Sequence, residues 1–175
     1  MQLFRCSIET PLGAMLALAS DEALCALEFS SKNRMTRLNA RLERWFEPYE
    51  IEKRSNPVIA RTGTWLERYF AGASADVNGL PLDLRGAAFE RRVWDALLEI
   101  PAGETSTYGA IARQLGSTGA SRAVGLANGA NPVAIIVPCH RVIGSNGSLT
   151  GYGGGLDKKR WLLDHERQWT TGRLF

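Results

Sequence analysis

Residues 105–116 read Thr105-Ser106-Thr107-Tyr108-Gly109-Ala110-Ile111-Ala112-Arg113-Gln114-Leu115-Gly116, and after Ser117–Ala120 the chain continues Ser121-Arg122-Ala123-Val124-Gly125-Leu126-Ala127-Asn128. The Thr107 hydroxyl can cap a short helix by accepting from a free first-turn amide, and Gly116 can end that helix in the left-handed conformation. A second short helix runs from about Ser121 to Asn128. Two short helices around a Gly-containing turn suggest a helix-turn-helix, and an ordinary helical hairpin fits the same residues equally well. The second helix is rich in Ala and Gly, so its backbone can lie very close to whatever it docks on. A helix that reads the major groove usually carries long polar side chains instead.

Working outward, Phe89, Val93, Trp94, Leu97 and Leu98 mark an amphipathic helix closed by Pro101 and Gly103. Downstream, the apolar run Pro132–Val137 predicts a strand ended by Pro138, and Val142–Leu149 predicts a hairpin turning at Asn146-Gly147. Gly151–Gly155 reads as a flexible loop and Asp157–Arg167 as a closing helix. Nearer the N-terminus, three short strands are expected at Gln2–Ile8, Ala14–Ala19 and Leu24–Phe29. Helices are expected at Asn33–Phe46 and from Pro57 through Phe70, the latter capped by Asn56. The chain turns small and polar between Ala71 and Gly86. The expected organisation is therefore α+β in two small domains, a scaffold over 1–80 and a chemical domain over 87–175, with a linker at about 71–86.

The 175 residues are 45% apolar and 22% charged, which suits a folded chain. Residues 1–86 balance 11 basic against 11 acidic side chains, whereas 87–175 carry 10 against 7. That excess fits a polyanionic partner and also an ordinary surface. No stretch approaches the roughly 20 apolar residues of a membrane helix, and no signal peptide is evident. Three cysteines, Cys6, Cys25 and Cys139, are too few for a disulfide scaffold, so a reducing cytoplasm is the expected location.

One cysteine stands apart. Cys139 follows a rigid proline at the end of an apolar run and precedes His140 and Arg141. Positive neighbours favour the thiolate, the nucleophilic form. On an extended backbone Cys139 and His140 would face opposite ways, so direct proton transfer is disfavoured and a bridging water is the better route. His165 and a few carboxylates are the groups available to orient His140.

Pro138-Cys139-His140-Arg141-Val142, with Asn131-Pro132 before it and Gly151-Tyr152-Gly153-Gly154-Gly155 after it, resembles the signature of the O6-alkylguanine-DNA alkyltransferases. The similarity is dense from Phe89 to Glu166, while residues 1–80 share only a layout of small sheet and helices. The resemblance implies a ribonuclease H-like N-terminal domain and a winged-helix-like C-terminal domain in the bacterial single-module form. It also implies direct-reversal repair, in which Cys139 irreversibly takes the alkyl group from O6-alkylguanine, and from O4-alkylthymine, once per molecule. Glu166 would polarise His140, Asn131 would hold the active-site turn, and Tyr108 would donate to the departing base. Val142, Tyr152, Gly153 and Lys159 would line or edge the base pocket. Arg122 would enter the base stack as the lesion flips out. Ala123, Gly125, Ala127 and Asn128 would lie along the minor groove beside it.

Some relatives bind a structural zinc through two Cys and two His. Here Cys6 and Cys25 cannot fill a tetrahedral site alone, so no metal and no cofactor are expected. Ala134 and Gly153 stand where some relatives carry Pro and Ser. The expected partner is duplex DNA bearing O6-alkylguanine, met by a monomer that can cluster along DNA. A non-catalytic lesion sensor, a helix-turn-helix regulator and a Cys-His hydrolase are the competing readings. A sensor lacks the acceptor Cys, a regulator needs more base-reading side chains, and no oxyanion site is evident for a hydrolase.

Overall fold

The computed structural model describes residues 1–73 and 75–172, which divide into two units. One comprises Met1–Arg85 with Pro132–Ala134; the other comprises Gly86–Asn131 with Ile135 onward.

The first unit is a mixed four-stranded sheet with two helices. Strands β1 (Gln2–Ile8), β2 (Met15–Ala19) and β3 (Leu24–Phe29) pair antiparallel, and the short β4 (Glu50–Glu52) adds parallel to β1, giving the order β3-β2-β1-β4. β4 was not foreseen, since three residues with one apolar side chain, Ile51, are too few to show a period. Every residue of β3 is buried, which explains its nearly continuous apolar sequence. Helix α1 (Lys32–Trp45) lays Leu38 and Leu42, with Phe46 beyond its end, against Leu3, Leu18, Cys25 and Ala26. Ser31 caps it by accepting from the Arg34 amide. Helix α2 (Pro57–Phe70) starts at a proline and is capped by Asn56, whose Oδ1 accepts from the Ile59 amide at 2.9 Å. Burial pushes the Cys25 thiol up to about 11, so it remains a small apolar residue.

Within this unit Arg34 donates to both oxygens of Glu28, each at 2.8 Å, and both side chains are buried. Burial raises the Glu28 carboxyl to about 6 against the pull of Arg34.

The second unit is mainly helical. Helix α3 (Ala88–Leu98) packs on α5 (Ser121–Gly129), and Trp94 donates its buried Nε1 to the Ala127 carbonyl at 2.9 Å. Helix α4 (Tyr108–Gln114) is capped by Thr107, and Gly116 beyond it has φ +69°, which a side chain would resist. Helix α6 (Leu156–Thr170) closes the unit. Two-residue strands β5 (Ser106–Thr107) and β6 (Val142–Ile143) pair in parallel.

Two expectations need correction. Pro132–Val137 is not a strand. Only Val133 bridges a strand, opposite Leu27, after which Ala134–Ile136 turn and Ile135 takes φ +70°. A β-branched residue there is strained, and it persists because the neighbouring backbone is buried and hydrogen-bonded. The second correction concerns Val142–Leu149. Asn146-Gly147 does turn, with Gly144 N–H donating to the Ser148 carbonyl, but β6 pairs with β5 and not with a returning strand.

Among the described residues, no helix is long and apolar enough to cross a membrane.

Candidate active site

The site is built from the bend at residues 131–142, which are all buried. Asn131, at the end of α5, donates Nδ2 to the Val137 carbonyl at 2.8 Å, and the Cys139 amide donates to the same carbonyl at 2.8 Å. One side-chain amide thus holds closed the turn that delivers the cysteine. Cys139–Arg141 form a single 3-10 turn, not extended chain, so the alternation argument that separated Cys139 from His140 does not apply. Cys139 is 7% exposed, and its carbonyl accepts from Asn128 Nδ2 at 3.3 Å.

His140 is fully buried, and its Nε2 lies 2.7 Å from Glu166 Oε1. Glu166 belongs to α6, is also fully buried, and accepts from four donors. Arg141 Nε meets Oε2 and Nη2 meets Oε1, each at 2.9 Å, and the Gly103 amide reaches Oε2 at 3.3 Å. Arg141 Nη1 further donates to the Ile100 carbonyl at 2.5 Å. Burial by itself would raise the Glu166 carboxyl, but His140 and Arg141 outweigh it and hold the group well below the usual range. Burial pushes His140 down, against the pull of Glu166 and with the help of Arg141 and Lys159.

These directions fix a tautomer. An ionised Glu166 can only accept, so Nε2 carries the proton and Nδ1 presents its lone pair. His140 Nδ1 is buried and has no hydrogen-bond partner in the protein. His140 is therefore a neutral imidazole held in direction by a carboxylate. The expectation that His140 and Arg141 act together as cations beside the thiol is corrected: one is neutral and the other is paired to Glu166. Burial pushes the Lys159 ammonium down, and the charge of Cys139 pulls it back up. Lys159 was expected at a pocket edge but is fully buried, and its Nζ donates to the carbonyls of Val142 at 2.5 Å and Thr150 at 2.7 Å.

Thr150 also meets Tyr108. Its Oγ1 donates to the Tyr108 hydroxyl at 3.2 Å, and that hydroxyl lies 3.4 Å from the Thr150 carbonyl. Tyr152 stands edge-on to His140 with ring centroids 6.5 Å apart, and the neighbouring Gly153 is exposed. His165 does not orient His140; it stacks on Trp161 at 4.8 Å.

The second helix also departs from the sequence reading. Val124, Ala127 and Asn128 face inward at helical spacing, and Gly125 is half-buried, with the Tyr108 ring 3.7 Å from where its Cβ would stand. Ala127 and Asn128 are therefore not on an outward face, and the exposed residues are Ser121, Arg122, Ala123, Leu126 and Gly129. Reading every small residue as surface overlooked that a three-helix core needs small residues where helices cross. Thr150 and Leu126 went unassigned in the sequence. Only Leu126 carried a signal, as a large apolar residue at the same helical spacing as Arg122.

Residues 3–84 match the family model described as 6-O-methylguanine DNA methyltransferase, ribonuclease-like domain, and residues 88–168 match its DNA binding domain. A methylated-DNA–protein-cysteine methyltransferase of Mycolicibacterium paratuberculosis is 45% identical over 96% of this chain and 94% of its own. One from Salmonella typhimurium is 45% identical over 95% of this chain and 96% of its own. The crystal structure of Mycobacterium tuberculosis OGT in complex with DNA superposes with a TM-score of 0.78 at 42% identity, covering 95% of this chain and 94% of that one. Fold, site and relatives together define a DNA-repair methyltransferase. The chain belongs to the methylated-DNA–protein-cysteine methyltransferase family, whose members repair O6-methylguanine in DNA.

Proposed function

We propose that Cys139 is the alkyl acceptor and that His140, Glu166, Asn131 and Tyr108 serve it. The observation that carries this is the buried His140, with Nε2 on Glu166 and Nδ1 without a protein partner, one residue from the thiol. His140 Nδ1 takes the Cys139 proton through a water, and Lys159 favours the resulting thiolate. The sulfur attacks the alkyl carbon, a C–S bond forms, and the bond from carbon to O6 breaks. Its electron pair passes into the guanine ring, where Tyr108 supplies a proton at N3 so that no purine anion has to leave. Solvent relays the His140 proton back to Tyr108.

Because a thioether is a poor leaving group, the transfer is irreversible and each molecule acts once. The same attack serves O4-alkylthymine. Val142, Tyr152 and Gly153 border the flipped base. The partner is duplex DNA, met by a monomer in a reducing compartment, with Arg122 and Ala123 of α5 toward the minor groove. Flipping costs a few kcal/mol and less for a weakened pair, which favours the lesion.

The deciding experiment is mass spectrometry after incubation with O6-methylguanine duplex. One added methyl on the Cys139 peptide is expected, and its absence would remove the assignment. Cys139→Ala should bind DNA and accept nothing.

A further inference from the structure

Helix α5 exposes Arg122, Ala123, Leu126 and Gly129 along one side, and Leu126 is 72% exposed. No other large hydrophobic among the described residues is as open; Leu156 follows at 45%. A lone exposed leucine is ordinary on a protein surface, so its placement has to carry the argument. Leu126 is four residues beyond Arg122, which puts both side chains on one helix face, a turn apart. Gly129, three residues further, has no atom within 4 Å of where its Cβ would be. The ridge therefore falls from a cation to an apolar knob to bare backbone. Neither α4 nor α5 contains an acidic residue, and together they carry Arg113 and Arg122. The face is thus complementary to a polyanion, and it lies within the segment that matches the family's DNA binding domain.

We infer that Leu126 is a second minor-groove wedge, packing on sugars and base edges one helical turn from Arg122. The inference rests on the DNA-repair reading above and deepens it. An apolar side chain pressed between base steps gains by leaving water and holds the duplex open toward the groove. Arg122 alone would fill the space left by the base. With Leu126 beside it, the flanking step is propped as well, so the helix grips at two points.

The test compares single-turnover methyl transfer from an O6-methylguanine duplex, below saturation, with transfer from the free O6-methylguanine base. Leu126→Ala should lower the ratio of duplex rate to free-base rate about five- to tenfold, as expected for losing most of a buried leucine side chain. Leu126→Met, apolar and of similar volume, should stay near the wild-type ratio. An unchanged ratio in Leu126→Ala, or a Met variant falling as far as Ala, overturns the wedge. Wild-type protein that fails to act on the duplex at all would overturn the DNA-repair reading itself. Because the side chain is exposed, thermal melting of the free variants should match wild type.

Discussion

The guanidinium of Arg141 meets both carboxylate oxygens of Glu166, Nε on Oε2 and Nη2 on Oε1, each at 2.9 Å. A bidentate cation largely neutralises the carboxylate, so Glu166 can orient His140 without forcing a second proton onto it. The pair keeps the imidazole fixed in direction and still basic at Nδ1. On the reading proposed above, Arg141 is a positioning residue that acts on His140 through Glu166.

Arg141→Lys should test this. A lysine offers one point charge where a planar fork is needed, so more of the Glu166 charge falls on His140 and its pKa rises. The acid limb of the transfer rate should move to higher pH, with partial recovery of rate in alkaline buffer. A rate lowered equally at every pH would mean that Arg141 only supports the fold.

Glu166→Gln removes the anion that fixes the Nε2 proton. Transfer should slow by about 10²- to 10⁴-fold, the usual worth of a positioned proton acceptor. The variant also leaves Arg141 buried without its counter-charge, at a cost of about 3–5 kcal/mol. Stopped-flow rates and urea midpoints separate the two effects, and a wild-type rate would refute the relay.

Asn131→Ala deletes the hydrogen bond that closes the turn before Cys139. The Val137 carbonyl keeps the Cys139 amide as donor, so losing the Asn131 bond should cost about 0.5–1.5 kcal/mol. The urea midpoint should fall accordingly, and transfer should slow even where the protein is fully folded.

Acid should weaken the fold in a defined order. His140 sits below its usual 6.5, so its contribution is complete above that pH and is lost as pH falls through it. Glu166, also depressed, contributes fully above its usual 4.5 and loses that contribution below it. Glu28, raised to about 6, works the other way and adds stability as pH falls from about 6 to 4.5. Urea midpoints measured against pH should therefore decline faster between 6.5 and 4.5 in Glu28→Gln than in wild type.

Alkylated protein should melt below the unmodified form. Cys139 is 7% exposed in a bend that is buried throughout, and an added methyl overpacks such a place by about 1–3 kcal/mol. Equal melting temperatures before and after reaction would count against crowding.

Local chemistry in the sequence located the helices well. Asn56 and Thr107 cap because their side chains bond to amides three residues ahead, a relation visible in one dimension. The run before Cys139 misled because a β-rich composition cannot reveal that only Val133 finds a partner strand. Glu166 stands near a helix end, where a carboxylate is ordinarily solvated. Its burial depends on Arg141 and Gly103, 25 and 63 residues away in sequence. Family resemblance pointed to Glu166, whereas composition did not. The inward turn of Ala127 and Asn128 was open to helical periodicity, but the run of small residues obscured it.

Helix α5 shows Arg122 and Leu126 on its outside and, on its inside, sends Asn128 to the carbonyl of Cys139. With Arg122 and Leu126 recognising DNA as proposed, the distance between recognising and reacting is the thickness of one helix, on the order of 10 Å. Nothing long or hinged has to carry the message. On the reading proposed above, a group added to the sulfur would push on the same rod that meets the groove, and the protein would let go of DNA because it has finished.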